Sequence, residues 1–190
     1  MHGTLGRGRL LAALPAIIHK EHVMGEIKNF AGREAMAKIK DIADGQVGML
    51  CTFTADQSMD TRPMATLRIA DDGTLWFFSR KDSQENQQIV ANPAVQLIYA
   101  LPNKSEFLAL EGTASVSHDQ KQIDELWIPT AKAWFPDGKD DPRLTLITVT
   151  LNGGRYWDTQ HGKMISLAKI AIGAVTGKPM DDGIRGALKV

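Results

Sequence analysis

The spacing of hydrophobic and polar positions changes several times along the chain. Between Asn29 and Ala43, Ala35, Met36, Ile39 and Ile42 recur at the spacing of one helical face, and Asp44-Gly45 ends the run. The period then drops to two. Val47, Met49, Cys51 and Phe53 alternate with smaller residues and predict a strand, and Ala55-Asp56-Gln57-Ser58 is loop chemistry. Arg62 to Ala70 predicts a second strand, Asp71-Asp72-Gly73 a hairpin turn, and Thr74 to Ser79 a third strand.

Ser83 caps a short predicted helix that runs to about Ala91 and stops at Asn92-Pro93. Ala94 to Ala100 reads as a fourth strand and Pro102-Asn103-Lys104 as a turn. Ser105 to Val116 reads as a long strand with Leu108, Leu110, Ala114 and Val116 on one face, where Gly112 marks a candidate bulge. Residues 119–135 carry Ile123, Leu126, Trp127, Ala131, Trp134 and Phe135 near helical spacing, with Pro129 set to kink or split the helix. Leu144–Leu151 and Arg155–Asp158 read as two strands around Asn152-Gly153-Gly154. Strands dominate the centre, with turns at roughly ten-residue intervals. The expected fold is mainly β with flanking helices: a small antiparallel split barrel of about six strands.

Residues 1–25 differ from the rest. Arg7 and Arg9 precede an apolar run from Leu10 to Ile18, broken by Pro15, that lacks a small-x-small cleavage site and is too short to span a bilayer. They read as a flexible leader, with the domain over 26–175 and a net basic C-terminal tail over 176–190. At 190 residues, with 43% hydrophobic and 23% charged, the chain supports one domain of ordinary globular composition. Lys+Arg and Asp+Glu balance at 22 each, so no global charge draws it to nucleic acid or an anionic membrane, and any anion site must be local. A single cysteine, Cys51, excludes an internal disulfide framework and fits a reducing, cytoplasmic location. Of five histidines only His19 and His22 are close, and they fall in the leader, so no metal site is expected.

Two stretches carry candidate chemistry. In Arg62-Pro63-Met64-Ala65-Thr66-Leu67-Arg68, strand alternation puts Arg62, Met64, Thr66 and Arg68 on one face. Paired guanidiniums suit an anion, although alone the pattern fits a solvated strand face better. In Trp76-Phe77-Phe78-Ser79-Arg80-Lys81-Asp82-Ser83, an aromatic strand runs into a basic loop and a helix start. A helix N-terminus offers free N–H groups to phosphate and the aromatics could wall a planar ring; a core strand with an ordinary cap is an equal reading.

Together these stretches resemble something specific. A strand with Arg-Pro-Met, a hairpin, a strand ending Trp-Phe-Phe-Ser, a Lys-Asp-Ser loop, a helix and Asn-Pro before the next strand form the pattern of the flavin-mononucleotide (FMN) site in pyridoxamine 5′-phosphate oxidase-like split barrels. Glu125-Leu126-Trp127, Lys132-Ala133-Trp134-Phe135-Pro136 and Tyr156-Trp157-Asp158 are similar to the general stress protein 26 branch. The resemblance covers residues 26–175. It implies that Arg62 holds the ribityl phosphate and that Met64, Ala65, Thr66 and Leu67 run along the isoalloxazine. It also implies that Phe78 and Ser79 lie on the same ring system, with Lys81 and Ser83 at the phosphate cradle. The family site lies at a homodimer interface, for which Trp134 is the candidate wall from the other chain. Glu85 departs from the family, whose members carry lysine two residues after the cap serine.

The resemblance implies a flavin-dependent oxidoreductase acting on a small molecule, with a non-catalytic flavin binder or a cofactor-free structural dimer as alternatives. No catalytic side chain stands out, and the flavin itself would carry the chemistry. No Arg-x-His lies near the C-terminus to receive a pyridoxal substrate, which disfavours pyridoxamine 5′-phosphate oxidase activity proper.

Overall fold

The computed structural model describes residues 26–159 and 183–190. The proposed leader and residues 160–182 lie outside the described residues.

The chain opens with two short strands, β1 (Glu26–Ile27) and β2 (Phe30–Ala31), then helix α1 (Gly32–Ala43). The helical stripe read from the sequence is the face that packs: Ala35, Met36, Ile39, Ile42 and Ala43 are buried. The helix begins at Gly32 rather than Asn29, because Phe30 and Ala31 pair as a strand with Leu188 and Lys189, and the Asn29 side chain accepts from the Ala187 amide at 2.8 Å. Next come β3 (Val47–Phe53), β4 (Met59–Ala65), β5 (Arg68–Ile69) and β6 (Thr74–Arg80). Helix α2 (Gln84–Ala91), β7 (Ala94–Leu101) and β8 (Glu106–Ser117) follow. Helix α3 (Gln120–Leu126) and 3-10 turns at Pro129–Ala133 and Gly138–Asp140 lead to β9 (Leu144–Thr159), and β10 (Gly183–Lys189) ends the sheet.

The mainly β split-barrel expectation holds, and the way the barrel closes explains one difference from it. Arg62–Ala70 is not one strand. Residues 59–65 pair with β3, whereas Arg68 and Ile69 pair with β6. Between them the amide of Thr66 donates to the Gln46 carbonyl and that of Leu67 to the Trp76 carbonyl. The same run of chain therefore serves both edges, and the circuit continues through β6–β9, β9–β8, β8–β7 and β7–β3. The hairpin at Asp71-Asp72-Gly73 forms as read, with Gly73 at φ +84°, a conformation glycine adopts without strain.

Two further corrections concern β9 and β10. The expected pair of strands around Asn152-Gly153-Gly154 is one 16-residue strand, and those residues form a bulge instead of a turn. Asn152 is the extra residue: Glu111 pairs with Gly153 and Gly112 with Leu151. A Cβ on Gly154 would sit 2.4 Å from the Ala109 carbonyl, so the close strand approach excludes any side chain there. The bulge lets one half of β9 pair with β6 and the other half with β10. Within the 176–190 tail, Gly183–Lys189 is a strand, antiparallel to β9 and parallel to β1 and β2, so the sheet is mixed rather than wholly antiparallel.

The main core fills the barrel with side chains such as Leu50, Phe77, Leu97, Leu110 and Val149, capped by α1. Each aliphatic side chain of this kind contributes about 1.5–3 kcal/mol on burial. A second cluster joins Ile123, Leu126, Ala131, Phe135, Leu144 and Leu146, with Leu67, Trp76, Phe78 and Trp127 packed on it. The 119–135 helix splits because Trp127, its C-cap, turns extended before Pro129 and the chain resumes as a 3-10 turn. Among the described residues no helix is long and apolar enough to cross a membrane.

Candidate functional site

The second cluster holds the 3-10 turn of Pro129–Ala133 away from the barrel, leaving a cavity of about 460 Å³ between that turn, β4 and β6. Arg62, Pro63, Met64, Ala65 and Leu67 line it from the strand that closes the barrel, and Phe78, Ser79 and Arg80 from the end of β6. Glu85 lines it from the first turn of α2, and Trp134 and Phe135 stand on the far wall. Phe78 is fixed by tilted contacts to Trp127 and Phe135, with ring centroids 5.7 Å and 6.3 Å apart. Trp134 is 69% exposed, an unusual position for an indole.

The polar side chains are held by specific bonds. Arg62 Nη1 donates to Thr52 Oγ1 at 2.7 Å and Nη2 to Gln88 Oε1 at 3.0 Å, while Asp60 Oδ2 lies 2.5 Å from Nη2. The Asp60 carboxyl sits below its ordinary value, first because Gln88 donates to it and then because Arg62 is beside it. Ser79 is buried, its hydroxyl bonded to Asn86 Oδ1 at 2.9 Å and to Thr145 Oγ1 at 2.8 Å, which ties the end of β6 to α2 and β9. Arg80 pairs with Asp82 at 3.1 Å on the exposed side.

Of the ten residues singled out from sequence, seven border this cavity: Arg62, Met64, Ala65, Leu67, Phe78, Ser79 and Trp134. Thr66 does not. Its side chain turns into the core, where its hydroxyl meets the Tyr99 hydroxyl at 2.7 Å, and this anchors the chain at the strand break. Ser83 caps α2 as expected, its hydroxyl accepting from the Asn86 amide, and lies off the cavity wall. Lys81 is exposed and also off the wall, its amide donating to the Arg143 carbonyl at 2.7 Å. Arg68 leaves the Arg62 face at the strand break and donates to the Glu125 carbonyl. Sequence reasoning missed Asp60 and Gln88, although alternation along β4 already places Asp60 on the face of Arg62. It also missed Val47, Ile128 and Ala131, which line the cavity from segments with no polar signal.

The outer face of the sheet is apolar near the cavity. Met49 stands opposite Pro63 and Ile98, Ile98 opposite Ala109, and Phe107 opposite Ala100 and Trp157. Met49, Ile98, Phe107 and Trp157 are all exposed, as is Val47, which also lines the cavity.

The profile of the family described as pyridoxamine 5′-phosphate oxidase like matches residues 34–181. The chain belongs to that family. A solved structure assigned to general stress protein 26 from Jannaschia sp. CCS1 is similar at 26% identity, with a TM-score of 0.66, over 84% of this chain and 99% of that one. The general stress FMN/FAD binding protein of Xanthomonas citri is similar at 25% identity and TM-score 0.57, over 65% of this chain and 87% of that one. A curated relative, protein bli-3 of Neurospora crassa, is 25% identical over 113 residues, 55% of this chain and 54% of its own. The chain thus spans about half the length of that relative. The two solved structures share the split-barrel fold seen here.

Proposed function

We propose that the cavity binds a flavin, FMN in particular, and that the protein works as a homodimeric flavin-dependent oxidoreductase on a small substrate. The observation that carries this reading is the meeting of Arg62 with the aromatic walls Phe78 and Trp134 in one cavity. That donor set fits the cofactor: a guanidinium for the phosphate, strand backbone for the polar ring edge, and apolar or aromatic surface for the ring faces. Arg62 takes the phosphate. Met64, Ala65 and Leu67 run beside the isoalloxazine with the backbone of Thr66, and Phe78 and Ser79 support the same ring. Lys81 and Ser83 act on the phosphate only through the loop and helix start they belong to. Bound flavin supplies two-electron redox chemistry, and the protein's part is to position it and exclude water.

A second copy of the chain is the natural cover for the exposed row of Met49, Ile98, Phe107 and Trp157, which continues through Val47 to the cavity. Trp134 then faces the junction of the two copies. The Xanthomonas citri relative's description as an FMN/FAD binding protein supports the cofactor class. One observation favours the second reading, flavin binding without turnover: among the described residues the charged side chains on the cavity wall are Arg62, Arg80 and Glu85, and none is a histidine, lysine or cysteine suited to proton transfer near neutrality. Titration of the protein with FMN, followed by reduction with a nicotinamide donor in the presence of candidate acceptors, separates the two. FMN binding with donor-dependent turnover supports the enzyme; binding without turnover supports the second reading.

A further inference from the structure

Arg62 is already saturated where a ligand would need it. A guanidinium grips phosphate through two adjacent N–H groups, either Nε with Nη2 or Nη1 with Nη2. Both forks require Nη2, which faces Gln88 Oε1 at 3.0 Å and Asp60 Oδ2 at 2.5 Å. One of these partners must leave before a phosphate can bind in two-pronged fashion. Gln88 is poorly placed to go, because its Oε1 also accepts from the Thr52 hydroxyl at 2.5 Å. Asp60 is the charged partner and its side chain is 37% exposed, so its carboxylate can turn to solvent. Gln88 Nε2 donates to the same carboxylate oxygen at 3.0 Å and so holds Asp60 against Arg62.

We propose that Asp60 is an internal stand-in for the ligand's anion, which occupies Arg62 until a phosphate exchanges with it. This rests on reading the cavity as a site for a phosphorylated flavin. Asp60 thereby sets specificity. A flavin without phosphate has no exchange to make, whereas FMN must displace a carboxylate and then remain near its negative charge. The arrangement also keeps a half-buried guanidinium paired when no ligand is bound.

The test is Asp60→Asn, close in size and without the charge, titrated at low salt with FMN and with riboflavin by flavin fluorescence. The expected result is a fall of about tenfold in Kd for FMN, of the size one nearby like charge imposes, and no change for riboflavin. Asp60→Ser is the second variant should Asp60→Asn not fold. Weaker FMN binding in either variant, or equal shifts for both ligands, overturns the exchange and makes Asp60 a positioning residue. Unchanged FMN affinity alongside clear binding by the wild type overturns the exchange alone. Binding of FMN by neither protein overturns both the exchange and the flavin reading.

Discussion

Replacing Arg62 with alanine isolates the phosphate end of the cavity. Arg62 reaches no other cofactor feature by its charge, so its loss should fall on FMN and spare riboflavin. A hydrogen bond to a charged group is worth about 1.5–3 kcal/mol, and one such bond lost corresponds to a rise in Kd of roughly 10- to 150-fold. The exchange with Asp60 lowers the expected loss towards the small end of that range, because the wild type must first break an existing ion pair. Folding has to be separated from binding, since Thr52, Gln88 and Asp60 all lose a partner in the variant. A urea melt of the flavin-free protein supplies that control. The assay is fluorescence titration with both flavins at two salt concentrations. FMN should lose affinity and also lose most of its salt dependence, while riboflavin changes little. Equal losses for the two ligands would refute the assignment and show that Arg62 acts through the fold.

Four other outcomes are expected. Glu85→Lys should tighten FMN binding by about 1.4 kcal/mol, roughly tenfold, and lower the flavin-free melting temperature slightly, because lysine opposes the dipole at a helix N-terminus; titration and a thermal melt check the two effects. Ile98→Glu, on the exposed outer row, should leave the circular dichroism spectrum unchanged and shift sedimentation from dimer to monomer, since a charge on an apolar interface is costly. Tyr99→Phe should cost about 1–3 kcal/mol in urea unfolding by leaving the buried Thr66 hydroxyl without its partner, and should weaken both flavins alike by loosening the strand break. Asp141, bonded by Arg143 and drawn down to about 2, supports the fold above the ordinary carboxylate value of 3.8 and withdraws that support as pH falls towards 2; Asp141→Asn should flatten this part of an acid-unfolding curve.

Much of this architecture was readable from periodicity because the barrel interior is buried on one face only. The stripe of Ala35, Met36, Ile39 and Ile42, the alternation in β8, the hairpin at Gly73 and the cap at Ser83 all follow from local rules and survive in the fold, whereas in β3 the strand forms but Val47 and Met49 face outward while Gly48, Leu50 and Thr52 face inward. What failed were features fixed by distant partners. The break at Thr66-Leu67 arises because one half of the run pairs with β3 and the other with β6, and nothing local marks it. Asn152-Gly153-Gly154 looks like a turn, but the fold uses the same residues as a bulge in a continuous strand. The strand at Gly183–Lys189 has partners at both ends of the chain, so its own composition conveys little.

The site divided along the same line. Arg62 and Phe78 were brought together by the family resemblance, since strand position alone fitted a solvated face and a core strand at least as well, and the structure puts both on one cavity wall. The reading that put the Thr66 side chain on the Arg62 face fails because the break turns it to Tyr99. Ser83 spends its hydroxyl on capping α2, and Lys81 contributes its backbone amide to the Arg143 carbonyl, so neither lines the cavity. The apolar wall at Val47, Ile128 and Ala131 exists only once three separate segments are brought together.

The most direct measurement is a titration of the full chain with FMN, recorded by absorbance and flavin fluorescence, with sedimentation of the same samples. Saturable binding at one FMN per chain, a perturbed flavin spectrum, and a dimer at the concentrations where binding occurs are expected. A flavin spectrum identical to that of free FMN at saturating protein, from a folded chain, would contradict the flavin reading.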